Sequence, residues 1–265
     1  MAFVPSQKKI IAGGQNIHSF KIQQGGSKDV TDELPVLAVS YNPTNLTFIT
    51  VSACALKVWD GATGKLIQST GKPATVLDRV EDDFMCMCLG GQGRKVIVGD
   101  NGGRIKVFNC MNQSEMIGYQ YPECNGRAHY GDVSRTIYVK EHSLLISTSG
   151  DRSISIHGES QDGSGLLLRR VTNATWSEIT ALAYSPHLGL IASASEDGSI
   201  QLWEFEHGRH MGVCAEQHPG SVTCVTFLDP FPILLSTDLA GNVVLWGLPP
   251  ARVGLRFVSS VTKQL

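Results

Sequence analysis

Four aspartates recur along the chain, and together they could form a cluster of carboxylates: Asp100, Asp151, Asp197 and Asp238. Converging carboxylates can bind a divalent cation or act as general acid and base. Each of the four, however, stands in a short polar turn between two apolar runs, where an Asp side chain caps the turn by bonding nearby backbone groups. The regular placement therefore favours a structural role in turns over a shared catalytic centre.

Histidines offer a second possible chemistry, because an imidazole can ligate a metal or act as a general base. His207 and His210 are close in sequence, but no third ligand is adjacent, so the sequence favours a solvated turn. The glycine-rich segment 99–103 has no GxGxxG pattern, which favours a hairpin turn over a phosphate cradle. No GxSxG elbow occurs in the sequence either. We therefore expect no enzymatic activity, no cofactor and no metal site.

These residues are carried by short apolar segments with the length of β-strands. Between Ile179 and Trp203, three apolar runs are separated by two turns rich in Pro, Gly and Asp. Strand-length runs bounded in this way predict an antiparallel meander. Because neither side of these strands is strongly polar, the meander needs similar sheets on both of its faces.

The chain supplies such sheets as repeats of the same pattern. Aligned copies span 36–59, 84–108, 133–157 and 222–246, and a half copy ends at Phe20. An aromatic residue closes each copy, and consecutive closing positions are 39 to 49 residues apart. A period of about 40–45 residues with four strands per unit is typical of a β-propeller.

Three segments resemble WD40 repeats: LKVWD at Leu56–Asp60, SASEDGSIQLW at Ser193–Trp203, and His218–Gly220. The resemblance implies an all-β WD40 β-propeller with five full four-stranded blades and a partial N-terminal blade, either six-bladed or an incomplete seven-bladed ring. A single propeller would cover residues 1–265, with 252–258 as its last outer strand. The predicted blades are 1–33 (partial), 34–79, 80–128, 129–173, 174–217 and 218–265.

WD40 repeats often hold a buried, hydrogen-bonded tetrad of His, Ser or Thr, Asp and Trp. The resemblance places tetrad-like residues in the last three blades: His129 and Asp151 in the fourth, Ser195, Asp197 and Trp203 in the fifth, and His218 and Trp246 in the sixth. Ser193 is the alternative to Ser195. Ala240 stands at the Asp position of blade six and His157 at the Trp position of blade four, so no blade is expected to complete the tetrad.

Composition narrows the class of partner. The chain has 22 basic and 24 acidic residues, and no dense Lys/Arg block occurs, so no nucleic-acid partner is expected. No apolar run reaches the ~18 residues that a membrane-spanning helix needs. The start of the chain shows no basic-then-apolar leader, and the cysteine count of seven is odd. Both features predict a cytoplasmic protein in a reducing compartment. Residues 229–247 resemble blades of large multi-propeller WD proteins, so a second interpretation is that the chain is a piece of such a protein, and a cytoskeletal or ciliary association stays open.

The expected function is a non-catalytic protein–protein interaction scaffold, which presents loops of a propeller end face to protein partners and can be part of a larger complex. The candidate anchors are aromatic and arginine side chains on such loops: Trp176, Tyr130 and Arg152. One alternative is a ligand-binding or enzymatic propeller with a site at the central channel. The other is phosphoinositide binding through Arg169 and Arg170, because 168–171 resembles the Phe/Leu-Arg-Arg-Gly motif of phosphoinositide-binding propellers, with Val171 in place of the Gly.

Overall fold

The structure is a computed structural model that describes residues 2–4, 9–13, 17–21, 27–30, 35–71, 83–110, 115–119, 126–159, 165–214, 218–248 and 260–264. Within these residues the protein is all-β, and its strands form six four-stranded antiparallel sheets. Each sheet consists of four strands that are consecutive in the chain. The chain divides into two compact units, Met1–Ala128 and His129–Leu265.

Unit one contains the first three sheets. The first sheet has four strands, β1 (Ala2–Val4), β2 (Lys9–Gly13), β3 (Ile17–Lys21) and β4 (Ser27–Val30). The expectation of a partial blade at the start of the chain is therefore wrong. The second sheet comprises β5 (Val36–Asn42), β6 (Thr47–Ser52), β7 (Ala55–Asp60) and β8 (Leu66–Gly71). The third comprises β9 (Phe84–Gly90), β10 (Lys95–Asp100), β11 (Ile105–Asn109) and β12 (Glu115–Tyr119), with a 3₁₀ turn at Gly91–Gly93.

Unit two contains the other three sheets. The fourth sheet comprises β13 (Val133–Val139), β14 (Leu144–Ser149), β15 (Ile154–Glu159) and β16 (Gly165–Val171). The fifth comprises β17 (Ile179–Ser185), β18 (Leu190–Ser195), β19 (Ile200–Glu204) and β20 (His210–Val213). The sixth comprises β21 (Val222–Phe227), β22 (Ile233–Asp238), β23 (Asn242–Gly247) and β24 (Ser260–Gln264). The predicted outer strand at 252–258 lies outside the described residues. The assignment of residues 1–265 to one domain, with the blade limits given above, stays a prediction.

Apolar cores lie between successive sheets of a unit. In unit two, Ile146 and Ile156 of the fourth sheet belong to the same buried cluster as Ile191 of the fifth. Leu202 of the fifth sheet shares a second buried cluster with Leu234 of the sixth. Each fully buried Ile or Leu stabilises the fold by about 1.5–3 kcal/mol relative to an exposed one. The fifth sheet is therefore buried on both faces, as its lack of a polar side predicts.

A bulge at the start of the first strand recurs from sheet to sheet. The register of this strand with the second strand shifts after its first residue in four sheets, namely at Val36, Val133, Ile179 and Val222. A bulge bends the strand and re-aims the residues before it. We call the end of unit two at which β13, β17 and β21 begin its upper end. Because the strands alternate in direction, the β14–β15, β18–β19 and β22–β23 hairpins lie at the same end.

Candidate protein-interaction site

The upper end of unit two is held together by backbone hydrogen bonds between its loops. In the β14–β15 hairpin, the Gly150 N–H donates to the Asp132 carbonyl over 3.1 Å. The carbonyl of Arg152, in the same hairpin, accepts a 2.8 Å bond from the N–H of Ala174. These bonds hold together the backbones of three segments, 129–132, 150–152 and 174–177, which carry exposed side chains.

Asp151 anchors the first two of these segments. Its carboxylate accepts hydrogen bonds from the backbone N–H of Tyr130 at 2.9 Å and from the Ser153 hydroxyl at 2.5 Å. Burial raises the pKa of this carboxyl, but the bonds from His129, Ser153 and the Tyr130 N–H together hold the pKa well below its ordinary value. The group is therefore a carboxylate at neutral pH that caps the turn, as the sequence pattern predicts.

Beneath the loops, a chain of buried side chains runs into the fourth sheet. His129 Nδ1 lies 2.8 Å from Ser153 Oγ, and its Nε2 lies 2.7 Å from Ser147 Oγ. Ser147 Oγ is in turn 2.6 Å from Nε2 of His157. Burial lowers the pKa of both imidazoles, and for His157 the pKa falls well below its ordinary value. Both histidines are therefore neutral at physiological pH.

The residue types in this chain also occur in catalytic triads, but the geometry excludes such a role for Ser147. A nucleophilic serine must contact its substrate, whereas the side chain of Ser147 is completely buried. The hydroxyl is also shared between two imidazoles rather than aimed into a cleft. The arrangement satisfies buried polar groups and fixes the sheet, with His157 in the place where the fifth and sixth sheets have a tryptophan.

The sixth sheet contains a complete set of four hydrogen-bonded residues. His218 Nδ1 lies 3.1 Å from Asp238 Oδ2, and His218 Nε2 lies 2.6 Å from Ser236 Oγ. The indole N–H of Trp246 donates to the same Ser236 oxygen over 2.8 Å. The expectation that no blade completes the tetrad is therefore wrong, because Asp238 supplies the carboxylate that was expected at the position of Ala240.

The sequence contains a signal for the position that Asp238 occupies, which is the last residue of the second strand and not a residue of the turn. Asp238 ends β22, and its Oδ1 accepts a 2.8 Å bond from the backbone N–H of Asn242. In the third sheet, Asp100 ends β10 and accepts a 2.8 Å bond from the N–H of Arg104 in the same way. Burial raises the pKa of Asp238, but the bonds from Asn242 and His218 lower it by more. An Asp at the end of the second strand thus caps the hairpin that follows, as an Asp two residues later in the repeat does in the fifth sheet.

In the fifth sheet, the serine that contacts the tryptophan differs from the predicted one. The indole N–H of Trp203 donates to Ser193 Oγ over 3.0 Å. Ser195 instead donates to the Asp197 carboxylate over 2.5 Å, so its assignment as the partner of the tryptophan is wrong. The reason is register: Trp203 is opposite Ile191, and its indole reaches the serine two residues further along β18, not the one four residues further.

All three candidate anchors lie at the upper end of unit two. The side chain of Trp176 is 86% exposed and that of Tyr130 is 72% exposed. Arg152 is also exposed, and its Nη1 donates to the carbonyl of Trp176 over 3.5 Å. The guanidinium carbon of Arg170 lies 5.6 Å from the centre of the Tyr130 ring. The structure thus places two large aromatic surfaces and two guanidinium groups on neighbouring segments.

Exposed carboxylates lie beside Trp176. Glu178 is exposed two residues later, and its carbonyl accepts a 3.0 Å bond from the N–H of Glu196. The hydroxyl of Ser177 donates to the Glu196 carboxylate over 3.4 Å. Reasoning from the sequence did not connect Glu178 with Glu196, because β17 and β18 separate them along the chain.

Other residues that suggested chemistry are engaged in protein contacts. Arg169 Nη1 donates to the carbonyls of Phe205 and Glu206, and Arg170 Nε donates to Ser155 Oγ over 3.3 Å. Nothing in these contacts supports phosphoinositide binding. The imidazole of His210 packs on Trp203 with ring centres 4.8 Å apart. No helix among the described residues has the length and apolar character to cross a membrane.

A cluster near the turn after β19 contains possible metal ligands. Glu204, Glu206 and His207 offer ligand atoms within 4.8 Å of one another. Glu206 and His207 are exposed, and His207 Nδ1 lies 3.2 Å from Glu204 Oε1. Glu204 and Glu206 are thus ligand types close to His207 that the argument from His207 and His210 did not consider, and the interpretation of this segment as a solvated turn stays a prediction.

The sequence is similar to a WD-repeat family model and to several longer proteins. The family model described as "WD domain, G-beta repeat" matches residues 167–204. Cilia- and flagella-associated protein 337 B of Tetrahymena thermophila is 19% identical over 94% of this chain, and the chain spans 19% of that protein's length. Periodic tryptophan protein 2 of Arabidopsis thaliana is 22% identical over 61% of the chain, which again spans 19% of the relative's length.

Two solved structures have similar folds. A chain in the crystal structure of the mitotic checkpoint complex is 15% identical, with a TM-score of 0.78 over 98% of this chain and 76% of the other. The β-propeller domain of Cps50 (Swd1) from Myceliophteria thermophila is 13% identical, with a TM-score of 0.78 over 94% of this chain and 82% of the other. At these identities, the two structures establish similarity of fold alone.

Proposed function

We propose that this chain, a WD40-repeat protein with the β-propeller fold of that class, is a non-catalytic scaffold that binds protein partners through the upper end of unit two. The observation that carries the proposal is the exposure of Trp176, which is 86% exposed on a segment fixed by hydrogen bonds. A partner that binds here need not order the backbone of this segment, which lowers the entropy cost of binding, and tryptophan is among the residues enriched at binding hot spots.

The surroundings of Trp176 favour a partner segment with Lys or Arg side chains. Glu178 and Glu196 supply two exposed carboxylates on segments that adjoin Trp176 through the Ser177–Glu196 hydrogen bond. A cationic side chain could lie over the indole face, which attracts cations, and pair with one of these carboxylates. Because these charges are exposed, we expect binding to weaken as ionic strength rises.

Evidence against catalysis supports the same proposal. Glu204, Glu206 and His207 are the one group of three close His, Cys, Asp or Glu ligands found in the described part of the chain, and they lie at the other end of the fifth sheet from Trp176. The buried serine and histidines of the fourth sheet have no access to a substrate. We further propose a cytoplasmic location with a ciliary association, which the similarity to the Tetrahymena protein supports.

The test compares two exposed aromatic residues. The 265-residue chain is immobilised as wild type, Trp176→Ala or Phe231→Ala. Proteins captured from ciliated-cell extract are cross-linked and identified by mass spectrometry. Phe231 is the matched control, since it is 62% exposed but lies in the β21–β22 turn at the opposite end of unit two. We expect proteins captured by wild type and Phe231→Ala to be depleted at least tenfold on Trp176→Ala. Equal capture by all three chains would refute the assignment of the upper end.

A further inference from the structure

The turn between β19 and β20 brings three side chains with metal-ligating groups together. Glu204, Glu206 and His207 each place one possible ligand atom within 4.8 Å of the other two. Among these atoms, His207 Nδ1 lies 3.2 Å from Glu204 Oε1. Two ligand atoms that each lie about 2.0–2.1 Å from a tetrahedral zinc ion are about 3.4 Å apart. The imidazole and the Glu204 carboxylate therefore already have the spacing of two ligands of one ion.

One carboxylate oxygen of Glu204 is a second observation that points to a cation. Glu204 Oε2 is buried and has no hydrogen-bond partner among the described residues. His207 contacts Oε1, which is the other oxygen of the same carboxylate. Buried carboxylate oxygens are normally hydrogen-bonded or bound to a metal, because removing the charge from water is costly. A divalent cation beside Glu204 would satisfy the oxygen that the contact with His207 does not reach.

The backbone of this turn is held by contacts with its own ends and with the sheet. The N–H of Glu204 donates to the carbonyl of Arg209 over 2.8 Å, and the N–H of Gly208 donates to the carbonyl of Glu204 over 2.9 Å. Phe205 packs on Tyr184, with ring centres 4.7 Å apart. Binding an ion therefore requires movement of side chains and no ordering of the backbone, which lowers the entropy cost of binding.

The mixture of ligand types indicates which cation fits. Ca²⁺ and Mg²⁺ take oxygen ligands, whereas an imidazole together with carboxylates suits zinc. Two carboxylates and a neutral imidazole also balance the double charge of a zinc ion. Glu206 and His207 are exposed, so water can reach the fourth position of a tetrahedral site. Three protein ligands and one water is a common arrangement around zinc.

We propose that Glu204, Glu206 and His207 bind one zinc ion, with a water molecule as the fourth ligand. His207 supplies the lone pair of Nδ1, so the proton of the neutral imidazole lies on Nε2. The bound ion ties the end of β19 to the turn that leads into β20. This site lies at the other end of the fifth sheet from Trp176 and does not depend on the function proposed for the upper end.

The test titrates the 265-residue chain with Zn²⁺ and measures the affinity by isothermal titration calorimetry. We expect Glu206→Gln and His207→Ala each to weaken zinc binding at least tenfold. Both side chains are exposed, so the substitutions should leave folding unchanged. His187→Ala is the matched control, because it removes an exposed histidine from the β17–β18 turn at the same end of the sheet. We expect this variant to bind zinc as the wild type does.

Zinc binding that is equal in the wild type and in His207→Ala would overturn the proposal, as would a wild-type chain that binds no zinc. X-ray absorption at the zinc edge identifies the ligands directly. We expect nitrogen and oxygen neighbours at about 2.0–2.2 Å, with an imidazole signal that His207→Ala removes. Sulfur neighbours at about 2.3 Å would also overturn the proposal, because the ion would then be bound by cysteines.

Discussion

Replacing Ser147 with alanine should destabilise unit two strongly, although the change removes a single oxygen atom. The hydroxyl is completely buried and lies 2.7 Å from His129 Nε2 and 2.6 Å from His157 Nε2. Losing a buried hydrogen-bond partner costs about 1–3 kcal/mol for each group that depended on it. Two imidazoles are affected, so we expect the free energy of unfolding to fall by about 2–6 kcal/mol.

Urea unfolding followed by tryptophan fluorescence measures this change, because three of the four tryptophans lie in unit two. With a urea dependence of about 2–3 kcal/mol per molar, the midpoint should move down by about 1–3 M. Thr223→Ala is the control, since it removes an exposed hydroxyl and should change stability by less than about 0.5 kcal/mol. In a His157→Phe background, Ser147→Ala should cost less, since one of its partners is gone.

The reasoning would be refuted if Ser147→Ala and Thr223→Ala shifted the midpoint equally. It would also be refuted if the cost of Ser147→Ala were the same with His157 or Phe at position 157, because the two side chains would then not be coupled.

Three further predictions concern protonation, backbone conformation and thiol reactivity. Burial lowers the pKa of His157 in the folded protein, whereas in the unfolded chain this imidazole has a pKa of about 6.5 and binds a proton below that pH. The stability contributed by neutral His157 should therefore be full above a pH of about 6.5 and fall below it by up to about 1.4 kcal/mol per pH unit. The melting temperature measured from pH 8 to 5 checks this prediction. Gly198→Ala should lower the melting temperature much more than Gly241→Ala. Both glycines have positive φ, 85° and 83°, so the backbone strain of an alanine is similar at the two positions. A Cβ at Gly198 would also lie 2.2 Å from a carbonyl oxygen, whereas a Cβ at Gly241 would meet no atom within 4 Å. Burial raises the pKa of the Cys214 thiol to about 12, so at pH 8 iodoacetamide should alkylate exposed Cys224 far faster than Cys214, and equal rates would contradict the structure.

The repeat pattern of the sequence predicts the sheets well, for a physical reason. A buried aromatic side chain at a fixed strand position is needed in each repeat, so Trp59, Trp203 and Trp246 show the period directly. The position of turn-capping carboxylates is less constrained, because Asp238 and Asp197 bond the backbone N–H groups of similar hairpins from sites two residues apart in the repeat. A search for an Asp at one fixed distance before the tryptophan therefore finds Asp197 but misses Asp238.

Exposure could not be predicted from the repeat. Leu202 and Leu245 are the same residue type at the same repeat position, yet one is fully buried and the other is more than a third exposed. The difference depends on which sheet lies next to each of them in space, and a single repeat does not contain that information. Likewise, the choice between Ser193 and Ser195 depends on the diagonal reach of an indole across two strands.

The stacking of sheets in unit two also determines the order in which its backbone opens to solvent. Within the described part of unit two, the fifth sheet packs on both faces and shares its stabilisation with two neighbours, whereas the sixth sheet packs on the fifth through one face. Amide hydrogens of β22 and β23 should therefore exchange with deuterium sooner than those of β18 and β19, and proteases should cut first near the sixth sheet. On this side of unit two, the sheet that bears Leu245 would then open before the fifth sheet.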